Sequence, residues 1–259
     1  MKRSAGAFDA VRASRTEAGM ELIAMAAVRS DDSILDIGCG AGSLTLELAR
    51  QACNGVVVGI DPSAEMLDRA RKRTHGAENI ALLKMAAEEM RFASEFDLVY
   101  SNSSLHWIRE QGAVIARAHK ALRPGGRIAV QLPAKDFCWP VMETINSAVT
   151  ALGLEPKFRD MPSPWRFPLK SELEEHLDAA GFSGAGISYR ECTMLFRSIN
   201  EVLEWGMSAP LRPYLARLSP NMRERFAYAF AMGFENYRTE KGIELSFKRL
   251  FAFAKKGGE

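Results

Sequence analysis

The feature that most constrains the fold of this chain is a regular alternation of short apolar runs and helical patterns in its first half. The apolar runs predict strands at residues 33–37, 55–60, 79–84, 96–102 and 127–133. Helical patterns lie between them near residues 43–52, 63–74 and 109–122, and the last of these is predicted to end in a turn at residues 123–126. Nearly continuous apolar strands separated by helices are typical of a parallel sheet covered on both faces. We therefore predict an α/β fold built on a doubly wound sheet.

The second half predicts two more strands, at residues 185–196 and 244–256, which bring the sheet to seven. Its other elements are predicted as helices at residues 139–154, 170–182, 199–215 and 221–237, and a proline-rich loop at residues 155–168. Ser171 is a plausible N-cap of the second of these helices, and Gly181 a plausible stop.

No linker or internal repeat divides the sequence, so we expect one domain over residues 1–259. The expected core comprises about 30–135, 170–197 and 243–256. The expected helical cap is formed by insertions at about 136–168 and 198–240.

Composition excludes several classes of protein. Lys and Arg total 34 against 32 Asp and Glu, and this balance gives no electrostatic reason to expect a nucleic acid or a membrane surface as partner. The four cysteines are scattered, without a pair or a Cys/His cluster at metal spacing, so we expect free thiols and no metal. No apolar stretch is long enough to predict a signal peptide or a membrane span. We expect a cytoplasmic protein, monomeric or homodimeric.

The junction of the first predicted strand and helix holds three glycines. Asp36 ends the apolar run, and Gly38, Gly40 and Gly42 follow it in a GxGxG pattern, which differs from the GxGxxG of nicotinamide enzymes. The second strand ends in Asp61, which is placed to accept hydrogen bonds from both hydroxyls of a ribose. Because a simple connection would not need three residues without side chains, the pattern indicates a ligand lying close to the backbone. A dehydrogenase is the alternative.

Four ordered motifs carry a resemblance to a known family. "LDIGCGAG", "GIDPSAEMLDRAR", "FDLVYSNSSLHWI" and "LRPGGRIAV" resemble the class I methyltransferases that use S-adenosylmethionine, over roughly residues 30 to 135. The resemblance implies a Rossmann-like fold and S-adenosylmethionine as cofactor. It also implies cofactor-binding positions, which are Asp36, Gly38, Cys39, Gly40, Gly42, Asp61, Pro62, Met66, Ala86, Ala87, Glu88, Ser101 and Asn102.

In that family the glycine turn packs against the methionine and ribose portions of the cofactor. An acid often follows the third strand near the adenine amine, but here Ala86 stands at that position. Adenine recognition then depends on backbone groups around Met85 and Ala87, or on Glu88.

The segment after the fourth strand is expected beside the transferred methyl group. His106 is a candidate general base, a candidate hydrogen-bond donor to an anionic substrate, or a structural histidine. Trp107 is a candidate apolar wall or cation–π partner.

The second half resembles the trans-aconitate methyltransferase branch of the family, on the segments "INEVLEWGMSAPLRPYLARL" and "GIELSFKRLFAFAKK". That branch esterifies free carboxylates. A carboxylate is anionic at neutral pH, so its methylation needs a positioning cation rather than a base. Arg212 is the first candidate for this cation, because a guanidinium binds a carboxylate through two parallel hydrogen bonds. Tyr214 and Trp165 are further candidate substrate-binding residues.

The predicted function is methyl transfer to a small molecule, most simply to a carboxylate such as that of trans-aconitate or another organic acid. One alternative is methylation of another O, N or C nucleophile with His106 as general base. A second alternative is a non-catalytic protein that binds the cofactor.

Overall fold

The structure is a computed structural model that describes residues 6–135, 139–208 and 210–258, without the side chains of residues 6–15, Trp139 and Ser208. Two compact units are present. The larger unit comprises Thr16–Lys135, Trp165–Arg190 and Arg249–Glu259, and the smaller unit comprises Met1–Arg15, Asp136–Pro164 and Glu191–Lys248. The single-domain organisation with a cap stays a prediction. Residues 136–138 and Ala209, which fall in the two expected insertions, lie outside the described residues.

One mixed sheet contains all the described strands. These are β1 (Ser33–Ile37), β2 (Val56–Asp61), β3 (Ile80–Lys84), β4 (Phe96–Asn102), β5 (Leu122–Pro133), β6 (Phe182–Phe196), β7 (Arg238–Thr239) and β8 (Gly242–Lys256). The strand order is β3-β2-β1-β4-β5-β8-β6, and the two-residue strand β7 pairs with β8 beside this path. The seven strands of the path confirm the predicted Rossmann-like fold.

Helices precede the sheet, connect its strands and build most of the smaller unit. They are α1 (Gly6–Ala26), α2 (Ser43–Gln51), α3 (Ala64–Arg73), α4 (Gln111–Ala121), α5 (Trp139–Ala151), α6 (Glu155–Phe158), α7 (Lys170–Ala179), α8 (Ile199–Ser208), α9 (Arg212–Leu215) and α10 (Pro220–Met232). Short 3-10 helices lie at Ala87–Glu89, Leu105–Trp107 and Gly233–Tyr237. Across the described residues, no helix has both the length and the apolar character needed to cross a bilayer.

The order of the first five strands creates the position where a ligand can bind. β1 pairs in parallel with β2 on one side and with β4 on the other. The chain therefore runs from β1 to β2 and β3 on one side, and then crosses to β4 and β5 on the other side. The loops that follow β1 and β4 diverge at the carboxyl ends of these two strands. In open α/β sheets such a switch point lies at the carboxyl ends of the strands and forms the ligand crevice.

The core of the larger unit lies between α1, α2 and one face of the sheet. Leu22 and Ile23 of α1 and Leu48 of α2 pack with Ile34 and Val57 of the strands, each at most 1% exposed. The buried Tyr100 hydroxyl donates to the carbonyl of Gly19, 2.9 Å away, which fixes α1 against β4. Full burial of such side chains stabilises the fold by about 1.5–3 kcal/mol each.

The smaller unit has an aromatic core of its own. α10 packs against α8 and α5, and Trp205 of α8 lies against the rings of Phe230 and Phe234. Gly206 permits this approach, since a Cβ there would lie 2.7 Å from the ring of Phe230.

Three local expectations were wrong. The predicted turn at residues 123–126 lies inside β5, because Phe96 pairs with Leu122 and Leu98 with Arg127, and the residues between them bulge out of register. The predicted N-cap Ser171 lies inside α7, which is capped at Leu169, where the Glu172 carboxylate accepts from the Leu169 N–H at 2.7 Å. The predicted loop at 155–168 contains the short helix α6.

Candidate functional site

The glycine turn after β1 combines three left-handed residues with an open outer face. Gly38, Gly40 and Gly42 have φ of 74°, 54° and 76°, in the left-handed region that residues with a Cβ rarely adopt. The N–H groups of Gly38 and Cys39 donate to the carbonyl of Ile60, which ties the turn to the end of β2. A Cβ on Gly38 would collide with Ser104, whereas one on Gly40 would meet no atom closer than 4.0 Å. The turn is therefore packed on its Ser104 side and open at Gly40.

Asp61, at the end of β2, is held by the backbone around it. Its Oδ2 accepts from the N–H of Gly40 at 3.0 Å, and its Oδ1 accepts from the N–H of Ser63 at 2.8 Å. A carboxylate oxygen accepts more than one hydrogen bond, so both oxygens keep the capacity to accept from a diol. The half-buried carboxylate is thus fixed in direction beside the open part of the glycine turn.

Asp36 differs from Asp61 because it is buried, at 3% exposure. Its Oδ2 accepts from the Thr45 hydroxyl at 2.7 Å. Burial raises the pKa of Asp36 to about 7, helped by the negative charge of Asp61 and opposed by the Thr45 hydrogen bond. Burial and the charges of these two carboxyl groups also raise the pKa of the Cys39 thiol. The thiol therefore stays protonated at neutral pH.

The predicted adenine side of the site follows β2 and β3. Ser63 caps α3 by accepting from the N–H of Met66 at 3.3 Å, and Pro62 beside it is exposed. Ala86 N–H donates to Glu89 Oε2 at 3.0 Å, so the acid that turns back onto this segment is Glu89. Glu88 is exposed and Ala87 is buried. Glu88 and the backbone near Ala87 remain predicted adenine contacts.

The residues after β4 lie against the glycine turn. Ser101 is buried and its hydroxyl donates to the carbonyl of Ile37 at 3.1 Å. Asn102 ends β4, and Ser103 follows in a left-handed conformation with φ of 53°. Non-glycine residues held in this region are strained and cluster at functional sites. A Cβ on Gly38 would lie 1.9 Å from Ser104 Oγ, so this segment is a direct neighbour of the predicted cofactor turn.

His106, Trp107 and Trp165 belong to one cluster of rings together with Phe167. The His106 ring stacks on Phe167 at 5.8 Å, and the Trp107 ring meets the edge of Trp165 at 6.0 Å. His106 is 8% exposed, whereas Trp107 is 48% exposed. The cluster brings two predicted substrate-binding residues, Trp107 and Trp165, together with the predicted catalytic residue His106.

Arg249 is a residue of this region that the sequence did not single out. It is 4% exposed, pairs across the sheet with Pro133 at the end of β5, and lies with Nη1 3.3 Å from Ser103 Oγ. Its Nη1 also lies 3.4 Å from Gln131 Oε1. The alternation of buried and exposed residues along the first part of β8 could have indicated it. Phe247, Arg249 and Phe251 all face inward, so the charge occupies an inward position of the strand.

Arg212 and Tyr214 lie in the smaller unit, on α9. Arg212 is exposed. The Tyr214 ring packs against Phe158 at 5.3 Å and Phe226 at 6.0 Å, and burial raises the pKa of its hydroxyl. Their predicted contacts with a substrate stay predictions.

The acceptor oxygens of Asp61 and the open space at the glycine turn fit an adenosyl cofactor. A fixed carboxylate, Asp61, faces the turn, and the turn has room at Gly40 for a close-lying ligand. Within the part of the chain that the structure describes, no group of three or more His, Cys, Asp or Glu residues is arranged to hold a metal ion.

The chain is similar in sequence and fold to known methyltransferases. A family model described as a methyltransferase domain matches residues 34–126. A trans-aconitate 2-methyltransferase of Deinococcus radiodurans is 30% identical over 216 residues, which cover 82% of this chain and 82% of that protein. A trans-aconitate 2-methyltransferase of Acidovorax ebreus is 26% identical over 239 residues, covering 92% and 90% of the two chains. The crystal structure of the YcgJ protein from Bacillus subtilis, 19% identical, matches with a TM-score of 0.62 over 94% of this chain and 100% of that one.

Proposed function

The chain belongs to the class I S-adenosylmethionine-dependent methyltransferases, on the trans-aconitate methyltransferase branch, and on that premise we propose that it methylates a carboxylate oxygen of a small organic acid. The relatives named for trans-aconitate support the acceptor class. The structural observation that carries the proposal is the buried guanidinium of Arg249 beside the segment after β4.

Bound S-adenosylmethionine would supply an electrophilic methyl group on its sulfonium. Attack of the carboxylate oxygen on that methyl carbon would form the ester bond as the carbon–sulfur bond breaks, releasing S-adenosylhomocysteine with no proton gained or lost. The protein must hold the two reactants in line and keep water away. Asp61 would hold the ribose, since its oxygens already have a fixed direction beside Gly40. The glycine turn would let the cofactor lie against the backbone.

Arg249 would orient the acceptor carboxylate. It lies buried on β8 at the carboxyl end of β5, and its planar guanidinium matches the geometry of a carboxylate. Ser103, which contacts Arg249, precedes Ser104, which contacts the glycine turn. This succession of neighbours connects a buried cation to the predicted cofactor site. Arg212 remains the candidate that the sequence predicted for the same role.

The reaction is tested with labelled S-adenosylmethionine and a panel of organic acids that includes trans-aconitate. We expect a labelled product that alkaline hydrolysis releases as methanol, because a methyl ester is labile to base. A base-stable product would contradict the proposal and favour methylation of a different nucleophile with His106 as general base. In that case His106→Ala would lower turnover by about 10²–10⁴-fold. A carboxylate acceptor predicts a much smaller loss.

The role of Arg249 is tested by Arg249→Met and Arg249→Lys. We expect Arg249→Met to lower kcat/KM for the acid by about 30- to 1000-fold, the range for losing one member of a buried charge interaction, with Lys restoring part of it. The Kd for S-adenosylhomocysteine should change less than about twofold, since its predicted contacts lie elsewhere. Lys248→Met, the exposed neighbour on β8, is the matched control. If Lys248→Met and Arg249→Met lowered kcat/KM equally, Arg249 would not be the residue that orients the carboxylate. If only Arg212→Met lowered kcat/KM, Arg212 would be that residue.

A further inference from the structure

Gln131 is a polar side chain in the most apolar part of the sheet. It lies in β5 and is fully buried, between Val130 and Leu132, which are buried too. Burial of an amide costs free energy unless its polar atoms find hydrogen-bond partners. Because an apolar side chain is the usual occupant of a buried strand position, the partners of this amide should explain why a glutamine stands there.

The amide nitrogen of Gln131 faces the end of β4. In the orientation that gives both ends of the amide a partner, Nε2 donates to Asn102 Oδ1 at 2.7 Å and to Ser103 Oγ at 2.9 Å. The backbone carbonyl of Gln131 also accepts from the Ser103 N–H at 2.8 Å. Ser103 has the left-handed φ of 53°, a conformation that costs free energy and persists only where neighbouring groups hold it. Gln131 holds Ser103 through its backbone and through its side chain.

The amide oxygen of Gln131 faces the guanidinium of Arg249. Oε1 accepts from Arg249 Nη1, and from the N–H of Leu132 at 3.1 Å. Arg249 Nη1 in turn lies 3.3 Å from Ser103 Oγ, so each of the three side chains contacts the other two. We call Gln131, Ser103 and Arg249 the glutamine network. A free arginine side chain has many rotamers, and these contacts restrict them.

The register of the sheet brings the glutamine network together. Gln131 pairs with Asn102 of β4 on one side and with Phe251 of β8 on the other. Directly paired residues, and residues two positions apart along a strand, lie on the same face of a sheet. Asn102, Gln131 and Arg249 therefore share one face, on which Tyr100 and Phe251 pack with α1 and α2. The relative positions of these residues are thus set by the pairing of three strands.

We propose that Gln131 is a positioning residue for methyl transfer, which holds the guanidinium of Arg249 and the left-handed Ser103 in a single arrangement. The inference rests on the proposed function, in which Arg249 orients the acceptor, and adds the residue that sets this orientation. Since Gln131 is fully buried, it acts through Arg249 rather than by touching the acceptor. A cation that is already fixed when the acceptor arrives reduces the entropy lost on binding.

The first test is Gln131→Met, which keeps the length of the side chain but removes the amide. Rates are measured with the acid that gives most ester in the panel above. S-adenosylmethionine saturates each variant, so that a change in cofactor affinity through Asn102 does not enter. We expect kcat/KM for the acid to fall about 3- to 10-fold, the range for one hydrogen bond. Tyr100→Phe, which removes a different buried hydrogen bond on the same face of the sheet, is the control for lost stability and should leave kcat/KM unchanged.

A double-mutant cycle then asks whether Gln131 acts through Arg249. In the Arg249→Met background, Gln131→Met should lower kcat/KM by less than about a further twofold, because the guanidinium that it positions is gone. A side chain that only stabilises the sheet would lower kcat/KM by the same factor in both backgrounds. Additive losses would therefore overturn the inference, as would an unchanged kcat/KM in Gln131→Met alone.

Gln131→Glu gives a second test, which also serves if Gln131→Met does not fold. The carboxylate keeps an acceptor against Arg249, but it has no donor for Ser103 and brings a negative charge beside the guanidinium. Because like charges placed together disfavour binding, kcat/KM for the acid should fall at least as far as in Gln131→Met. A purely structural role predicts the opposite order, since glutamate keeps more of the contacts than methionine. A kcat/KM equal to that of the parent in Gln131→Glu would overturn the inference.

The product of the parent enzyme separates this inference from the proposed function. Ester formation with non-additive losses at 131 and 249 would support both. Ester formation with additive losses would overturn positioning by Gln131 and leave carboxylate methylation standing. Failure of every acid to yield an ester, with methylation of amines or phenols instead, would overturn both.

Discussion

Two regions beside the same switch point of the sheet are built in different ways. The cofactor edge, residues 36–42 with Asp61, depends on backbone geometry: three left-handed glycines and a carboxylate held by two backbone N–H groups. The acceptor edge, residues 101–107 with Gln131, residues 165–167 and Arg249, depends on side chains from distant parts of the chain. The first arrangement is therefore set by backbone conformation, whereas the second depends on which side chains occupy its positions.

This difference also separates the consequences of substitution. At the cofactor edge a new Cβ meets strained backbone or a neighbouring atom, as at Gly38 and Gly42, so the turn itself is lost. At the acceptor edge the contacts come from side chains, whereas the pairing of β4 with β5 runs through the backbone, so we expect that pairing to survive substitution of Trp107 or Arg249. We therefore expect substitutions at the two edges to affect cofactor affinity and acceptor kinetics separately.

The largest effect should come from Asp61→Ala. The substitution removes the predicted ribose contact and two hydrogen bonds that hold the turn, each worth about 1.5–3 kcal/mol when one partner is charged. We expect the Kd for S-adenosylmethionine to rise at least 100-fold in calorimetry. Asp68→Ala on α3, which removes only an exposed ion pair with Arg71, should leave it unchanged. Undiminished affinity in Asp61→Ala would show that the cofactor edge does not bind the ribose.

The sequence indicated the local geometry of the cofactor edge more directly than that of the acceptor edge, for a physical reason. Glycines at a strand–helix junction and an acid at the end of the next strand are local features, so their spacing alone indicates their geometry. The fold followed similarly, because each strand from β1 to β5 is a local apolar run. The bulge at residues 123–126 was missed because it depends on the register between β4 and β5, which no single segment contains.

The acceptor edge was only partly predicted because its contacts join residues far apart in the chain. Trp107 and Trp165 were named as candidates, but the hydrogen bonds from Gln111 that bring their segments together have no local signal. Arg249 is similar, since its importance depends on its partners Ser103 and Gln131 across the sheet. The N-cap of α7 at Leu169 was missed because leucine has no capping side chain, and the contact comes instead from Glu172, which accepts from the Leu169 N–H.

The second prediction concerns Asp36, the buried carboxyl group of the cofactor edge. Its pKa is raised from 3.8 to about 7, so the folded protein keeps a proton that the unfolded chain releases. The contribution of Asp36 to the free energy of unfolding is therefore fully present below about pH 4. It is lost as pH rises toward 7, by about 1.4 kcal/mol per pH unit at most. Asp36→Asn should remove this slope in urea unfolding between pH 4 and 7.

The comparison of the two proteins isolates Asp36 from other titrating groups. The difference in unfolding free energy between the parent and the Asn variant should shift by about 2–4 kcal/mol between pH 4 and 8, in favour of the variant at the higher pH. Parallel curves would mean that Asp36 ionises near its ordinary pKa, and that burial at the cofactor edge carries no electrostatic cost.

The third prediction tests the acceptor edge without touching its rings. Gln111→Met keeps the volume of the side chain but leaves the carbonyls of Leu105 and Arg166 without their donor, at a cost of about 1–3 kcal/mol. We expect KM for the acid to rise about 10-fold while the Kd for S-adenosylhomocysteine stays within twofold. Gln51→Met, the same change on the exposed surface of α2, is the control. A rise in both constants would show that the two edges are coupled.

The smallest effect should come from Thr45→Val, which tests whether a side chain contributes to the cofactor edge besides the backbone. Thr45 is fully buried, and its hydroxyl donates to Asp36 Oδ2, which lowers the pKa of Asp36 against the larger effect of burial. Valine has nearly the same shape but no donor, so the pKa of Asp36 should rise further, and the decline in stability that begins near pH 4 should extend to higher pH. At pH 8, where Asp36 of the parent is largely ionised, we expect the variant to lose about 1–2 kcal/mol in urea unfolding, and to lose little at pH 5, where the carboxyl group is protonated in both proteins. Equal losses at the two pH values would mean that the hydroxyl acts through packing alone, and the cofactor edge would then depend on its backbone and on Asp61.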